Sequence, residues 1–199
     1  MTKETRRIVS LAILSALGTV LMIIEIPYPI FPWLMLDLSD VVVLVVFIVY
    51  GWKEAALVGI LKVVIHGLFK GAVGPFYLGQ LTAFIASMSY VLGMYLTTNK
   101  LNLNRFVSGL ISVSIVTLLL TIANYFFITP SWIFYGFATS GDMAGVDFAS
   151  ALGTSSSFSY LWTILVIYVP FNLVKGGIVL GVFTAIYKSI GSFLEEYAN

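Results

Sequence analysis

Long apolar runs separated by short polar breaks make up most of this chain. A helix that crosses a bilayer needs about 20 apolar residues, because each residue adds only ~1.5 Å of length. Hydrophobic residues account for 60% of the chain and charged residues for 10%, whereas a soluble domain typically carries about 25% charged residues. A surface with so few charges cannot stay wetted, so the chain is predicted to be an integral membrane protein.

The apolar runs predict an all-α membrane protein, with residues 1–199 forming a single domain that is a bundle of six transmembrane helices. Long extracellular loops are expected after helices 1 and 5. Pro27, Pro29 and Pro32 break the chain in the first loop, and the second loop, residues 129–157, is rich in Gly, Ser and Thr. The last span is expected to kink or to start afresh at Pro170. The predicted spans are residues 8–26, 41–51, 55–69, 76–96, 106–128 and 158–190.

The distribution of charges predicts which side of the membrane each end faces. With six spans, seven cations fall on one side, and Lys70 alone falls on the other side together with the loop acids. Cytoplasmic loops carry an excess of Lys and Arg, so the N and C termini are both predicted to be cytoplasmic. The seven cations are Lys3, Arg6, Arg7, Lys53, Lys100, Arg105 and Lys188, and the outer acids are Asp37, Asp40, Asp142 and Asp147.

Composition also excludes several classes of function. The net charge is only +1, so no nucleic-acid partner is expected. One histidine and no cysteine argue against a metal site, and His66 is interpreted as a hydrogen-bonded polar residue near a helix end. The sequence has no phosphate-binding loop and no motif of a catalytic nucleophile. The chain is therefore predicted not to be an enzyme and to have no catalytic residues, and any ATP hydrolysis would occur in partner subunits.

Polar residues inside the apolar runs are the best guide to a binding site, because burying them in hydrocarbon is costly unless they are paired or line a cavity. Lys175 lies three residues after Asn172 in the last span, so the two share one helix face. Asn124 lies near the outer end of the fifth span, on the same side of the membrane. The alternatives are a Lys175 that extends to the interface and an Asn124 that joins neighbouring helices.

Four further residues are candidates for the same site. Lys62, in the middle of its helix, faces the cavity or pairs with a carboxylate, and Gln80 lies near the outer end of the fourth span. Asp40 is interpreted first as the N-cap of the helix that follows it. The loop that contains Leu36 is apolar and carries Trp33, so it is predicted to cover a pocket that opens outward.

Together these features resemble the substrate-binding S components of energy-coupling factor (ECF) vitamin transporters, and the riboflavin-specific type is the most similar. The resemblance extends over nearly the whole chain and rests on its size, the six helices, the long first loop and the small residues Ala12 and Ala16 on helix 1. The motifs that carry it are Leu-Asp-Leu-Ser-Asp-Val at 36–41, Asn-Tyr-Phe at 124–126 and Pro-Phe-Asn-Leu-Val-Lys-Gly at 170–176.

The resemblance implies that the chain captures riboflavin from outside a bacterial cell and delivers it inward across the plasma membrane. Riboflavin would be the transported ligand and not a cofactor. Asn124, Asn172 and Lys175 would face the flavin ring beneath the first loop. Ala12 and Ala16 would form part of the surface that docks on a transmembrane coupling subunit, which works with two cytoplasmic ATPase subunits.

Two alternatives stay open at this point. One is an S component for another vitamin, such as pantothenate or a pyridoxine-like compound. The chain departs from the flavin-type pattern at Val42, where proline is frequent, and at Ala83, where asparagine is frequent. Pantothenate is a carboxylate and would favour a nearby Lys175 or Lys62. The other alternative is a small stand-alone secondary transporter, although the sequence lacks the internal repeat common in that class.

Overall fold

In the computed structural model, which describes residues 2–31, 33–140 and 157–198, helices account for nearly all of the chain. Predictions that involve Pro32, Asp142, Asp147 and most of the second loop therefore lie outside the described residues. The helices are α1 (Lys3–Ile23), α2 (Ser39–Tyr50), α3 (Trp52–Lys70), α4 (Leu78–Tyr95), α5 (Arg105–Ala123), α6 (Thr129–Ser140) and α7 (Ser157–Ala198), and the two short strands are β1 (Ile26–Pro27) and β2 (Met35–Leu36).

The prediction of an all-α chain is confirmed, and the six predicted helices are confirmed in part. A π-helical turn at Asn124–Ile128 joins α5 to α6, so the described helices form six rods. Four segments are long and apolar enough to cross a membrane by length and composition, namely Lys3–Ile23, Pro75–Lys100, Arg105–Tyr135 and Phe158–Ser189. The other two rods do not meet this criterion of length and composition, because α2 has only 12 residues and α3 contains four charged residues.

One prediction about helix ends is wrong, and another is wrong in one of its two alternatives. The loop expected from residue 129 onward is helical as far as Ser140. The helix continues from α5 through the π-helical turn, and Pro130, which lies just after that turn, does not end it. Of the two possibilities at Pro170, a fresh start is excluded because α7 continues through this residue, and a kink there stays a prediction. Proline costs a transmembrane helix little where neighbouring helices support the loosened turn.

The short helix α2 occupies the centre of the bundle. It contacts α1, α3, α4 and α7, and nine of its 12 residues are buried. A helix that is apolar on every side is expected to be buried in this way. Because α2 lies between the other helices, the residues at its first turn are held deep in the bundle.

Small residues bring α4 and α5 into close contact. A Cβ atom added at Gly93 would lie 2.7 Å from the Cα atom of Ser112, which is closer than van der Waals contact allows. Small residues at such crossings let helix backbones approach each other. The helices α4 and α5 therefore pack with their backbones in close approach at this point.

The first loop folds back over the end of the bundle as a small hairpin. Strands β1 and β2 pair in antiparallel register, and the Tyr28 N–H donates to the Leu34 carbonyl at 2.8 Å. The buried Tyr28 ring meets the Phe171 ring of α7 edge to face, with 5.5 Å between centroids. This contact fixes the loop against α7.

Candidate functional site

A cavity of about 440 Å³ lies beneath the first loop, between the ends of the helices. Small-molecule sites typically enclose about 300–1,000 Å³, so the cavity is large enough for a ligand of vitamin size. Trp33, Leu34 and Met35 of the loop form part of its wall, as expected of a loop that covers a pocket. The aromatic side chains that line it from the helices are Tyr90, Trp132, Tyr168 and Phe171.

The three residues predicted most directly, Asn124, Asn172 and Lys175, all line this cavity. Asn172 is only 3% exposed, and its Nδ2 atom has no hydrogen-bond partner among the described residues. A buried amide donor without a partner is unfavourable. The geometry therefore leaves Asn172 available to donate to a bound molecule.

Asn124 reaches the cavity from the π-helical turn between α5 and α6. Its Nδ2 atom donates to the Leu120 carbonyl at 2.8 Å, and its Oδ1 atom accepts from the Thr129 hydroxyl at 3.3 Å. The Thr129 hydroxyl also lies 2.9 Å from the Tyr168 hydroxyl of α7. Single π-helical turns are frequent at functional sites, and hydrogen bonds connect this one through Thr129 of α6 to Tyr168 of α7.

Lys175 does not extend to the interface but forms ion pairs inside the bundle. Its Nζ atom lies 2.6 Å from Asp37 Oδ2 and 3.7 Å from Asp40 Oδ2. Lys62, which is fully buried, lies 2.9 Å from Asp40 Oδ1 and donates to Ser39 Oγ at 2.7 Å. Buried charges require such partners. We call Asp37, Asp40, Lys62 and Lys175 the charge cluster; its two cations balance its two anions.

Asp37 belongs to the charge cluster but is not among the binding residues predicted from the sequence. It lines the cavity, and its Oδ1 atom accepts from the Ser39 N–H at 2.9 Å and from the Ser39 hydroxyl. Burial by itself would raise the pKa of Asp37, but Lys175 and Lys62 outweigh that effect and hold the pKa well below its usual value. The carboxylate therefore stays ionised at neutral pH.

Asp40 was interpreted first as an N-cap, and that interpretation is wrong. Helix α2 begins at Ser39, and the carboxylate that satisfies its first N–H belongs to Asp37. Asp40 lies within the helix and points into the bundle, where Lys62 and the Ser87 hydroxyl donate to its Oδ1 atom at 2.9 and 2.5 Å. A short polar turn at Asp37 precedes α2, so the helix begins one residue before Asp40 and not after it. The sequence pattern does not distinguish this turn from a helix cap.

The other predicted binding residues surround the cavity without being part of its lining. Lys62 and Asp40 lie behind Lys175 in the charge cluster, and Leu36 is half-buried in β2. Gln80 donates from Nε2 to the Gly71 carbonyl at 2.7 Å and accepts from the Val73 N–H at 3.0 Å. Their direct role in binding stays a prediction.

Several cavity residues were missed, although helical spacing could have found some of them. Tyr168 lies four residues before Asn172, and His66 lies four residues after Lys62, so each shares a helix face with a predicted residue. Asp37 carries no such signal, because its partner Lys175 is 138 residues away. In the part of the chain that the structure describes, no group of three His, Cys, Asp or Glu side chains is arranged to hold a metal ion.

Comparison with known proteins shows that the chain matches a described protein family. The model of the family described as "ECF transporter, substrate-specific component" matches residues 6–187. Among individual proteins, the chain is 28% identical to "Riboflavin transporter FmnP" of Bacillus subtilis (strain 168) over 97% of this chain and 96% of that protein. It is 29% identical to "Riboflavin transporter RibU" of Staphylococcus aureus (strain TCH60), over 98% of this chain and 95% of the relative.

The fold is also found among solved structures. One described as "Structure and mechanism of the S component of a bacterial ECF transporter" superposes with a TM-score of 0.74. The two chains are 25% identical, and the match covers 96% of this chain and 98% of the other. The similarity therefore extends over the whole bundle, including the helices that surround the cavity.

Proposed function

The chain belongs to the family of substrate-specific components of ECF transporters, and from this premise we propose that its cavity captures riboflavin at the outer face of a bacterial plasma membrane. Transport proteins of this family are not enzymes, and riboflavin is here the transported ligand. Two relatives that match nearly the full length are named riboflavin transporters. The single observation that carries the proposal is the unpartnered Asn172 amide in an aromatic-lined cavity of about 440 Å³.

The lining of the cavity suits the chemistry of riboflavin. The flavin ring system is flat and largely apolar, with carbonyl oxygens and ring nitrogens along one edge. Aromatic side chains cover such a ring, and a few placed donors fix its orientation. Asn172, Asn124 and Lys175 supply amide and ammonium donors on the wall that α5 and α7 form.

The charge cluster favours a neutral ligand over a carboxylate. Lys175 is already held by Asp37 at 2.6 Å, and Lys62 is held by Asp40 at 2.9 Å. A carboxylate such as pantothenate would have to displace one of these acids or meet their repulsion. An uncharged ring faces neither cost, and a pyridoxine-like compound would fill much less of the cavity.

We further propose that the chain works with a transmembrane coupling subunit and two cytoplasmic ATPase subunits. Ala12 and Ala16 are exposed on one side of α1, beside the exposed side chains of Ile13 and Leu17. A surface of small residues allows another helix to approach closely. The sequence itself has no nucleotide-binding motif, and the members of the family are components of larger transporters. A stand-alone transporter would need neither an exposed docking surface nor partner subunits.

Ligand binding by the purified protein tests the proposal. In detergent, added riboflavin should lose fluorescence on binding, and excess pantothenate or pyridoxine should not restore it. Asn172→Ala should weaken riboflavin binding about 3- to 10-fold, the usual effect of one lost hydrogen bond between uncharged groups. Asn99→Ala, at an exposed position outside the cavity lining, is the matched control. Binding of pantothenate without any binding of riboflavin would refute the assignment.

A further inference from the structure

His66 is a buried polar residue of the cavity wall with one unused hydrogen-bonding group. Its side chain is 0% exposed, and it lines the cavity. Its Nδ1 atom lies 3.3 Å from Gln80 Nε2, whereas its Nε2 atom has no partner among the described residues. A buried ring nitrogen without a partner is unfavourable unless a bound molecule supplies one.

The contacts of Gln80 determine which ring nitrogen of His66 carries the proton. The Gln80 Oε1 atom accepts from the Val73 N–H at 3.0 Å, and the Nε2 atom donates to the Gly71 carbonyl at 2.7 Å. An amide nitrogen donates and does not accept, so its remaining hydrogen points to Nδ1. A neutral imidazole that accepts at Nδ1 carries its proton on Nε2. The unpartnered group is therefore an N–H donor.

The donor also lies on a different wall from the predicted ring-binding residues. His66 belongs to α3, which packs against α1, α2 and α4, whereas Asn172 and Lys175 belong to α7, which packs against α2 and α5. Gln80, the partner of Nδ1, does not line the cavity, whereas His66 does, so we infer that the Nε2 edge of the imidazole lies on the cavity side. A ligand that reaches both walls must present acceptors at two separated places.

We propose that His66 donates a hydrogen bond from Nε2 to a hydroxyl of the ribityl chain of riboflavin, and that Gln80 is the positioning residue that holds the imidazole in this tautomer. The inference rests on the proposed function. With the flavin ring against Asn172 and Lys175, the acceptors left for the opposite wall are the hydroxyls of the ribityl chain. His66 then recognises the polar part of the ligand that distinguishes riboflavin from a bare flavin ring.

Two ligands and two variants test this assignment. Lumiflavin keeps the ring system but carries a methyl group in place of the ribityl chain. His66→Leu should weaken riboflavin binding about 3- to 10-fold and leave lumiflavin binding unchanged. His66→Gln should restore most of the riboflavin affinity, because its amide N–H reaches about as far as imidazole Nε2. Ser108→Ala is the matched control, since Ser108 Oγ is also buried and unpartnered but does not line the cavity.

The single histidine of the chain allows the tautomer to be observed directly. With ¹⁵N-labelled histidine, the imidazole should show a protonated Nε2 and an unprotonated Nδ1, and riboflavin but not lumiflavin should shift the Nε2 signal. In Gln80→Glu the carboxylate accepts from the ring, so the proton should move to Nδ1. A packing role for Gln80 would not produce this change.

Distinct results would overturn the inference. Equal losses for riboflavin and lumiflavin in His66→Leu, or no loss for either, would contradict a contact with the ribityl chain. If His66→Leu fails to fold, the measurements on the wild-type protein remain decisive. An imidazole protonated at Nδ1, or an Nε2 signal that riboflavin does not shift, would contradict the inference. Failure of the wild-type protein to bind riboflavin would instead refute the proposed function, and this inference with it.

Discussion

Lys175 belongs both to the buried charge cluster and to the lining of the cavity. Its ammonium group is held by Asp37 at 2.6 Å and lies 3.7 Å from Asp40, and it lines the cavity at the same time. A buried ion pair adds little net stability, but removing one partner leaves an uncompensated charge. The proposed role of Lys175 in binding and its role in folding therefore depend on the same ion pair.

We expect Lys175→Met and Asp37→Asn each to lower the free energy of unfolding by about 3 kcal/mol, the low end of the range for broken buried ion pairs. The double variant should be more stable than the sum of the two losses predicts, because it restores the balance of the charge cluster. The asparagine keeps an oxygen that can accept from the Ser39 N–H, so the start of α2 is not disturbed. Thermal unfolding in detergent measures these differences.

Arg7→Met is the control for this pair, because Arg7 is bound to Glu54 but 54% of its side chain is exposed, and exposed ion pairs contribute little. Additive losses in the double variant would show that Asp37 and Lys175 do not depend on each other. Since the pKa of Asp37 is lowered by folding, the contribution of the pair is present above the ordinary carboxyl pKa of about 4. It should be lost only as the pH falls through the lower folded-state value.

At the scale of helices, the contact between α4 and α5 depends on the missing side chain of Gly93. We expect Gly93→Ala to destabilise the protein by about 1–3 kcal/mol, as overpacking of a close contact typically does. The reason is that the new Cβ would lie 2.7 Å from the Ser112 Cα atom, and a backbone atom cannot move aside cheaply. The midpoint of thermal unfolding is the measurement.

Gly177→Ala provides the matched control for Gly93→Ala. Gly177 also lies in a helix, but a Cβ atom added there would meet nothing within 4 Å. Alanine stabilises helix interiors relative to glycine, so this variant should be neutral or slightly more stable. Equal destabilisation by both alanines would contradict a specific role for the α4–α5 contact.

The exposed face of α1 is the surface that we propose docks on the coupling subunit. We expect Ala16→Trp to retain riboflavin binding and to lose co-purification with the coupling subunit, because the indole ring would keep the partner helix at a distance. Leu118→Trp is the control, since Leu118 is 60% exposed on α5, away from α1. Unchanged co-purification in Ala16→Trp would place the docking surface elsewhere.

At the scale of the whole molecule, the sidedness that the charge distribution predicts for the bundle is open to a direct test. The chain contains no cysteine, so single-cysteine variants report their own position without background. In intact cells, we expect Ile30→Cys in the first loop to react with a membrane-impermeant thiol reagent. Leu101→Cys, between α4 and α5, should react only after the cells are permeabilised. Both positions are well exposed, at 67% and 63%, so burial does not limit the reaction, and the opposite pattern would invert the predicted orientation.

The sequence by itself determined that the chain lies in a membrane and where most of its helices are. Hydropathy over about 20 residues is a local property, so it correctly predicts a helical membrane protein without knowledge of contacts. It fails at Pro130 and leaves two possibilities open at Pro170, because neighbouring helices and not the local sequence decide whether a helix continues.

Helical spacing likewise placed Asn172 and Lys175 on one face, and with Asn124 they line the cavity. Only the tertiary structure decided what these residues meet. It pairs Lys175 with Asp37 across 138 residues and places Asp40 inside the bundle instead of at a helix cap. It also leaves His66 Nε2 and Asn172 Nδ2 without hydrogen-bond partners among the described residues. Such contacts depend on the three-dimensional arrangement of helices that are distant in sequence, and no local pattern encodes them.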